Sequence, residues 1–256
     1  MRKPLALITL AAPLALLACG GGEQHDAPAG GAAGSPAAAA PGAAGKGSAS
    51  VSGKVTFGGS PPAPEKLKVS ADPYCQKEHK DGLMRQSIEV QDGGVKDVFV
   101  YVKSGVQGTY PPPTEPVQLD QKGCQYFPHM VAVQAGQPIK ITNSDETLHN
   151  IHPRPTVNEE FNIGQPRKGM ESTKTFTKRE IMIPVGCDVH PWMRSYVSVL
   201  DHPFHAVTKE DGTFEIKDLP AGEYEIEAVH EKLKSTTGRV TVKDGEAATL
   251  DLGYQG

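Results

Sequence analysis

From Val51 onward, apolar and polar residues alternate with period two rather than 3.6. Val51-Ser-Gly-Lys-Val-Thr-Phe57 alternates and stops at Gly58-Gly59 and Pro61-Pro62. Val95–Val102 (VKDVFVYV) is rich in β-branched and aromatic residues and follows a Gly-Gly turn. Met130–Val133 leads through Ala135-Gly136 to Ile139–Thr142. Thr213–Ile216 and Tyr224–Val229 flank Leu219-Pro-Ala-Gly222, a turn signal, and Arg239–Val242 and Thr249–Leu252 close the chain. No amphipathic helix over ten residues stands out. The pattern predicts an all-β fold, built as sandwiches.

The N-terminus breaks this pattern. Met1-Arg2-Lys3 is a short positive segment, and residues 4–17 (PLALITLAAPLALL) are apolar, too short to span a bilayer and interrupted by Pro13. That is an export signal rather than a domain. Residues 20–49 are nearly all Ala, Gly, Pro and Ser. Such a stretch cannot bury enough apolar surface to offset its ordering entropy, so it is expected to be a disordered tether. About thirty flexible residues reach on the order of 30 Å. Between them, Leu16-Leu17-Ala18-Cys19 resembles the bacterial lipobox. The resemblance implies a signal peptide over 1–18 and a lipid on Cys19, with the tether over 19–49. Gly20 stands where an inner-membrane retention Asp would, which favours a periplasm-facing protein on the outer membrane.

Charge excludes little but is useful. The formal net charge is −4, so nothing points to a nucleic-acid partner, and membrane attachment needs the lipid rather than a basic patch. The four cysteines, Cys19, Cys75, Cys124 and Cys187, are too far apart for Cys-rich zinc modules, Cys-x-x-Cys redox sites or c-type haem.

The chemistry concentrates in Cys187-Asp-Val-His190-Pro-Trp-Met193. A thiolate, an imidazole and a thioether at spacings of three suit copper, and a His₂Cys site with a weak axial Met is a blue-copper electron-transfer centre. Asn143-Ser-Asp-Glu-Thr-Leu-His149-Asn150-Ile151-His152 supplies the second imidazole. In an extended run His149 and His152 face opposite ways, so only one of them serves. Zinc would use Met193 poorly. A nucleophilic Cys187 paired with His190 lacks a visible oxyanion site or orienting group. A multicopper oxidase needs several His-x-His pairs, and a binuclear copper centre needs a second loop Cys.

Residues 111–202 resemble a cupredoxin, with a ligand loop most like that of amicyanin and a more distant likeness to plastocyanin. Cys187, His190, Pro191, Met193 and Arg194 match the amicyanin loop, and Leu148-His149-Asn150-Ile151-His152 resembles its Pro-His-Asn-Val-His segment. The resemblance implies a Greek-key sandwich holding one type 1 copper on His149, Cys187, His190 and Met193. It makes His152 the outward histidine and gives Asn150 a hydrogen bond across to the Cys loop. His190 is then the electron port, with Trp192 and Pro191 meeting a redox protein. The chain departs from the family at Ile181-Met-Ile-Pro184, where an aromatic-x-aromatic strand is usual, and at Leu148, where Pro is usual.

Cys75 and Cys124 remain, and an exported chain with two leftover cysteines is expected to join them. His79 and His129, each near one of them, open the alternative of a second metal. Residues 203–256 resemble a carboxypeptidase regulatory-like, prealbumin-type sandwich through Asp211-Gly-Thr-Phe214 and Leu219-Pro-Ala-Gly222-Glu-Tyr224. Val51-Ser-Gly53-Lys-Val55 fits that family's opening strand, so the N-terminal β region, residues 50–110, is a candidate for the missing half of the module. The expected function is a lipid-anchored, periplasmic electron carrier and not an enzyme. The alternatives are a structural or ligand-binding β-sandwich lipoprotein, or a copper storage or delivery protein.

Overall fold

The computed structural model describes residues 45–256; the signal segment, Cys19 and most of the tether lie outside the described residues. Among the described residues no helix is long and apolar enough to cross a membrane. Among the described residues the regular elements are strands, apart from one short helix at Pro73–Glu78.

Two sandwiches share the chain. The first is built from both ends. Ala49–Phe57 pairs antiparallel with Thr213–Leu219 and parallel with Ala247–Thr249 and Leu252–Tyr254. A facing sheet has the order His205–Val207, Phe99–Ser104, Gly222–Val229, Thr236–Val242. Their inner faces form one core that includes Val51, Val55, Val100, Phe214, Ile216, Ile226 and Leu252. The fifty C-terminal residues therefore complete their sandwich with strands from before residue 105, through hydrogen-bonded register rather than loose packing.

The second sandwich is continuous. Glu171–Thr175, Pro138–Asn143, Val117–Lys122 and Gln125–Phe127 form one layer. Ile163–Gln165, His149–Pro153, Glu180–Gly186, Arg194–Leu200 and Met130–Gln134 form the other. Between them lie Leu119, Val131, Val133, Ile139, Ile141, Ile151, Ile183, Val185, Val197 and Val199.

The run Val98–Val102 joins the two. Val98, Val100 and Val102 face the first core, whereas Phe99 and Tyr101 pack with Met130 and Leu200 at the junction with the second. Successive side chains of a strand point to opposite faces, so a strand buried on both sides reads as a continuous apolar run. Pro184 sits in regular register opposite Tyr196, just after an irregularity in the same strand. The register between Glu180–Gly186 and Arg194–Leu200 shifts between Glu180 and Ile183, and Met182 takes a positive φ of 60°.

Much of the segment after the first strand leaves the first sandwich, to which it returns at Ile88. Val69, Cys75 and Leu83 are buried in the core of the second. The helix starts as its sequence dictates. Asp72 caps it by accepting from the Tyr74 and Cys75 backbone N–H groups at 2.7 and 3.1 Å, and Pro73 fills the first turn, where an N–H would have no partner. Cys75 is joined to Cys124 with a Cα–Cα distance of 5.8 Å. Cys124 lies in the two-residue turn Gly123-Cys124, and both residues have positive φ, as the tight hairpin between Val117–Lys122 and Gln125–Phe127 requires.

Candidate metal centre

His149 opens the strand His149–Pro153, and Cys187 follows the neighbouring strand Glu180–Gly186. The loop from Cys187 returns into Arg194–Leu200 through a turn in which the Met193 N–H donates to the His190 carbonyl at 2.9 Å. One sheet thus brings the donors together. Sγ of Cys187 and one ring nitrogen each of His149 and His190 lie within 4.8 Å of one another. The two Nδ1 atoms are 2.9 Å apart, and Cys187 Sγ is 3.7 Å from His190 Nδ1. All are buried, with His149 0%, His190 1% and Cys187 5% exposed. Met193 is 1% exposed and packs in the same core as Cys187.

Asn150 stitches the two halves. Its Oδ1 accepts from the Asp188 N–H at 2.7 Å and from Cys187 Sγ at 3.2 Å. Tyr126 Oη donates to the Asn150 carbonyl at 2.5 Å. His152 points away, to Asp188 and Glu160 at the surface.

Two carboxylates that sequence reasoning missed complete the site. Asp145 Oδ2 lies 2.9 Å from His149 Nε2, and Asp72 Oδ2 lies 3.2 Å from His190 Nε2. Asp145 follows Asn143, which is fully buried and shapes the loop by accepting from the Asp145 N–H and donating to the Thr147 and Gln165 carbonyls. The sequence carried one signal, the Asp-Pro pair at 72–73, which marks a helix start but says nothing of what the helix covers.

Burial pushes the Cys187 thiol up, but hydrogen bonds with His149 and His190 bring it down to about 6. Burial pushes His149 down, and Asp145 and Cys187 more than offset it, so the ring sits above its ordinary value. Burial pushes Asp145 up, yet His149 and the Cys124 and Gly123 N–H groups hold it below the usual carboxylate range. A cysteine sulfur, two imidazoles and a thioether are a soft donor set of the kind that suits copper.

The expected electron port is corrected. His190 does not reach the surface, because the helix Pro73–Glu78 and its Asp72 cap lie over it. Trp192 stands beside it, with ring centroids 5.0 Å apart, and its Nε1 donates to the Cys124 carbonyl at 3.1 Å. Trp192 is half-buried and Pro191 exposed. Trp192 and Met193 line a cleft of about 290 Å³ whose other walls include Tyr126, Phe127, His129 and Glu231. With Cys75 and Cys124 joined, His79 contacts the Gly123 carbonyl and His129 contacts Glu231, and the two histidines share no metal-binding group among the described residues.

The class these observations define is an all-β protein of two sandwiches with a buried Cys, two His and a Met at one end of the second. The family model for the β-sandwich domain of ER membrane protein complex subunit 7 matches residues 190–254, from the loop histidine to the last strand. No curated protein matches. Among solved structures, the chain is similar to a Cu-containing nitrite reductase (NirK) from Thermus scotoductus SA-01, at 20% identity over 40% of this chain and TM-score 0.30. It spans only 25% of that reductase's length. A purple cupredoxin from Nitrosopumilus maritimus is 21% identical over 32% of this chain and 98% of its own, with TM-score 0.29. An amicyanin variant in its Cu(I) form is 21% identical over 39% of this chain and 97% of its own, with TM-score 0.30. At these scores the likenesses carry no weight for the site, which stands on its own donors.

Proposed function

We propose that the protein is a type 1 copper protein that carries single electrons between protein partners. The observation that supports this reading is the convergence of His149 Nδ1, His190 Nδ1 and Cys187 Sγ in a buried site, with Met193 buried in the same core. Copper bound there supplies a one-electron couple. The protein's part is to hold the donors still: the sheet fixes His149, Asn150 fixes the Cys187 loop, and the buried surroundings exclude water. A rigid, preformed set of donors lets the charge change with little rearrangement. With His190 covered, Trp192 and Pro191 are the contact through which electrons enter and leave, by way of the His190 ring that Trp192 touches.

The rest of the reading follows the sequence. A lipid on Cys19 anchors the chain in the cell envelope, facing the periplasm from the outer membrane, with residues 19–49 as tether. The first sandwich is a regulatory-like, prealbumin-type module with no chemistry of its own. Enzymatic use of Cys187 is disfavoured, because the sulfur is buried and does not line the cleft. Closure of the site also disfavours copper delivery, which needs exposed donors. A structural or ligand-binding role is the second reading, favoured by the β-sandwich family match and by the cleft between the sandwiches.

The test is the visible spectrum of the full chain with Cu(II), beside Cys187→Ala. An intense thiolate-to-copper band, lost in the variant and bleached by mild reductant, is expected. Absence of the band in the wild-type chain would leave the second reading.

A further inference from the structure

We propose that Asp72 and Asp145 are the positioning residues of this centre, one carboxylate for each imidazole, and that together they set its copper affinity and potential. The inference rests on the copper reading above.

A carboxylate only accepts hydrogen bonds, and a neutral imidazole carries one proton. Asp145 Oδ2 at 2.9 Å from His149 Nε2, and Asp72 Oδ2 at 3.2 Å from His190 Nε2, each hold a proton on Nε2. Nδ1 of each ring is thereby left as the atom that faces Cys187 and is available to a metal. The carboxylates are fixed in turn. Asp145 accepts from the Gly123 and Cys124 N–H groups, each at 2.7 Å, and Oδ1 also from Tyr74 Oη at 3.2 Å. Asp72 accepts from the Tyr74 and Cys75 N–H groups and from Thr147 Oγ1 at 2.8 Å.

These two supports are one unit. Asp72 caps the helix that carries Cys75, Asp145 is held by the turn that carries Cys124, and the disulfide joins helix to turn. The cystine therefore ties together the outer partners of both histidines, although it lies far from either of them in sequence. Two negative charges behind the imidazoles make them more basic ligands and favour Cu(II) over Cu(I).

The experiment uses the full chain with Asp72→Asn and Asp145→Asn. Asn still caps a helix and still accepts backbone hydrogen bonds but removes the charge. Copper affinities are measured by chelator competition, and the potential by voltammetry. Loss of such an outer partner costs about 10–100-fold in metal affinity. The loss is expected to be larger for Cu(II), and each tenfold difference raises the potential by about 59 mV. Asp72→Ser, which caps the helix but is too short to reach His190, should behave like Asp72→Asn. Nitrogen NMR of the metal-free protein is the independent readout, with Nε2 protonated on both rings in the wild type. Unchanged affinities and potential in stably folded variants, or an unprotonated Nε2 on either ring, would overturn the proposal. A wild-type chain without the charge-transfer band would instead overturn the copper reading, and the ring protonation would then decide the positioning role by itself.

Discussion

The Asn150 side-chain oxygen accepts the backbone N–H of Asp188 at 2.7 Å, across 38 residues of sequence. The same oxygen lies 3.2 Å from Cys187 Sγ, so a single amide holds the ligand loop against the strand that carries His149. Asn150→Leu leaves the part-buried Asp188 N–H without its partner and removes one of the contacts of the Cys187 sulfur. The expected cost is about 1–3 kcal/mol, read from denaturant midpoints, together with faster alkylation of Cys187 in the metal-free protein.

Met193 is almost fully buried in the core that also holds Cys187, so its size and its sulfur can be separated. Met193→Ala is expected to destabilise the metal-free protein by about 2–5 kcal/mol. Met193→Leu keeps the volume and should cost less than about 1.5 kcal/mol. The Leu variant nonetheless removes the thioether, so under the copper reading its potential should shift while its stability barely moves.

His129 and Tyr196, of the second sandwich, both contact Glu231, which follows the last residue of Gly222–Val229 by two. Burial pushes Glu231 up, but hydrogen bonds with His129 and Tyr196 hold it down at about 2, against an ordinary 4.5. Burial pushes His129 down, and Glu231 with Asp97 raises it above its ordinary 6.5. Glu231 thus adds stability that is fully present above pH 4.5 and lost as pH falls through about 2. His129 adds stability that is fully present below pH 6.5 and lost as pH rises through its raised value. The gap in thermal midpoint between the wild type and Glu231→Gln should therefore be largest between these limits, near pH 5–6. It should shrink toward pH 2, and toward pH 9 it should fall to the part held by Tyr196.

Joining Cys75 to Cys124 closes a loop of 49 residues. The chain-entropy relation gives about 4 kcal/mol for a loop of that size. Cys75→Ser with Cys124→Ser is expected to lose stability of that order. Added reductant should lower the wild-type midpoint and leave the double variant unchanged.

Much of the site was legible in the chain. Period-two alternation marked the strands, because a strand with one dry face must alternate. The spacing of Cys187, His190 and Met193 placed three donors on one loop, since a short connection between paired strands keeps them together. Residues three apart on a strand face opposite ways, so only one of His149 and His152 could serve; the family resemblance pointed to His149, which the structure buries fully, whereas His152 is partly exposed. These features are local, and local geometry follows from sequence.

What covers the site was not legible. Asp72 meets His190 across 118 residues, and no spacing rule connects them. The pairing of Ala49–Phe57 with Thr213–Leu219 was suggested only by likeness to a family, and its register depends on which strands the intervening sandwich leaves free. The sequence by itself determined the elements, the donor types and their order along the chain. Only the tertiary structure decided that His190 is closed rather than exposed, and that a carboxylate stands behind each imidazole. Those facts depend on where a six-residue helix comes to rest. Its position is set by burial of Cys75 and its bond to Cys124, contacts between segments that share no local pattern.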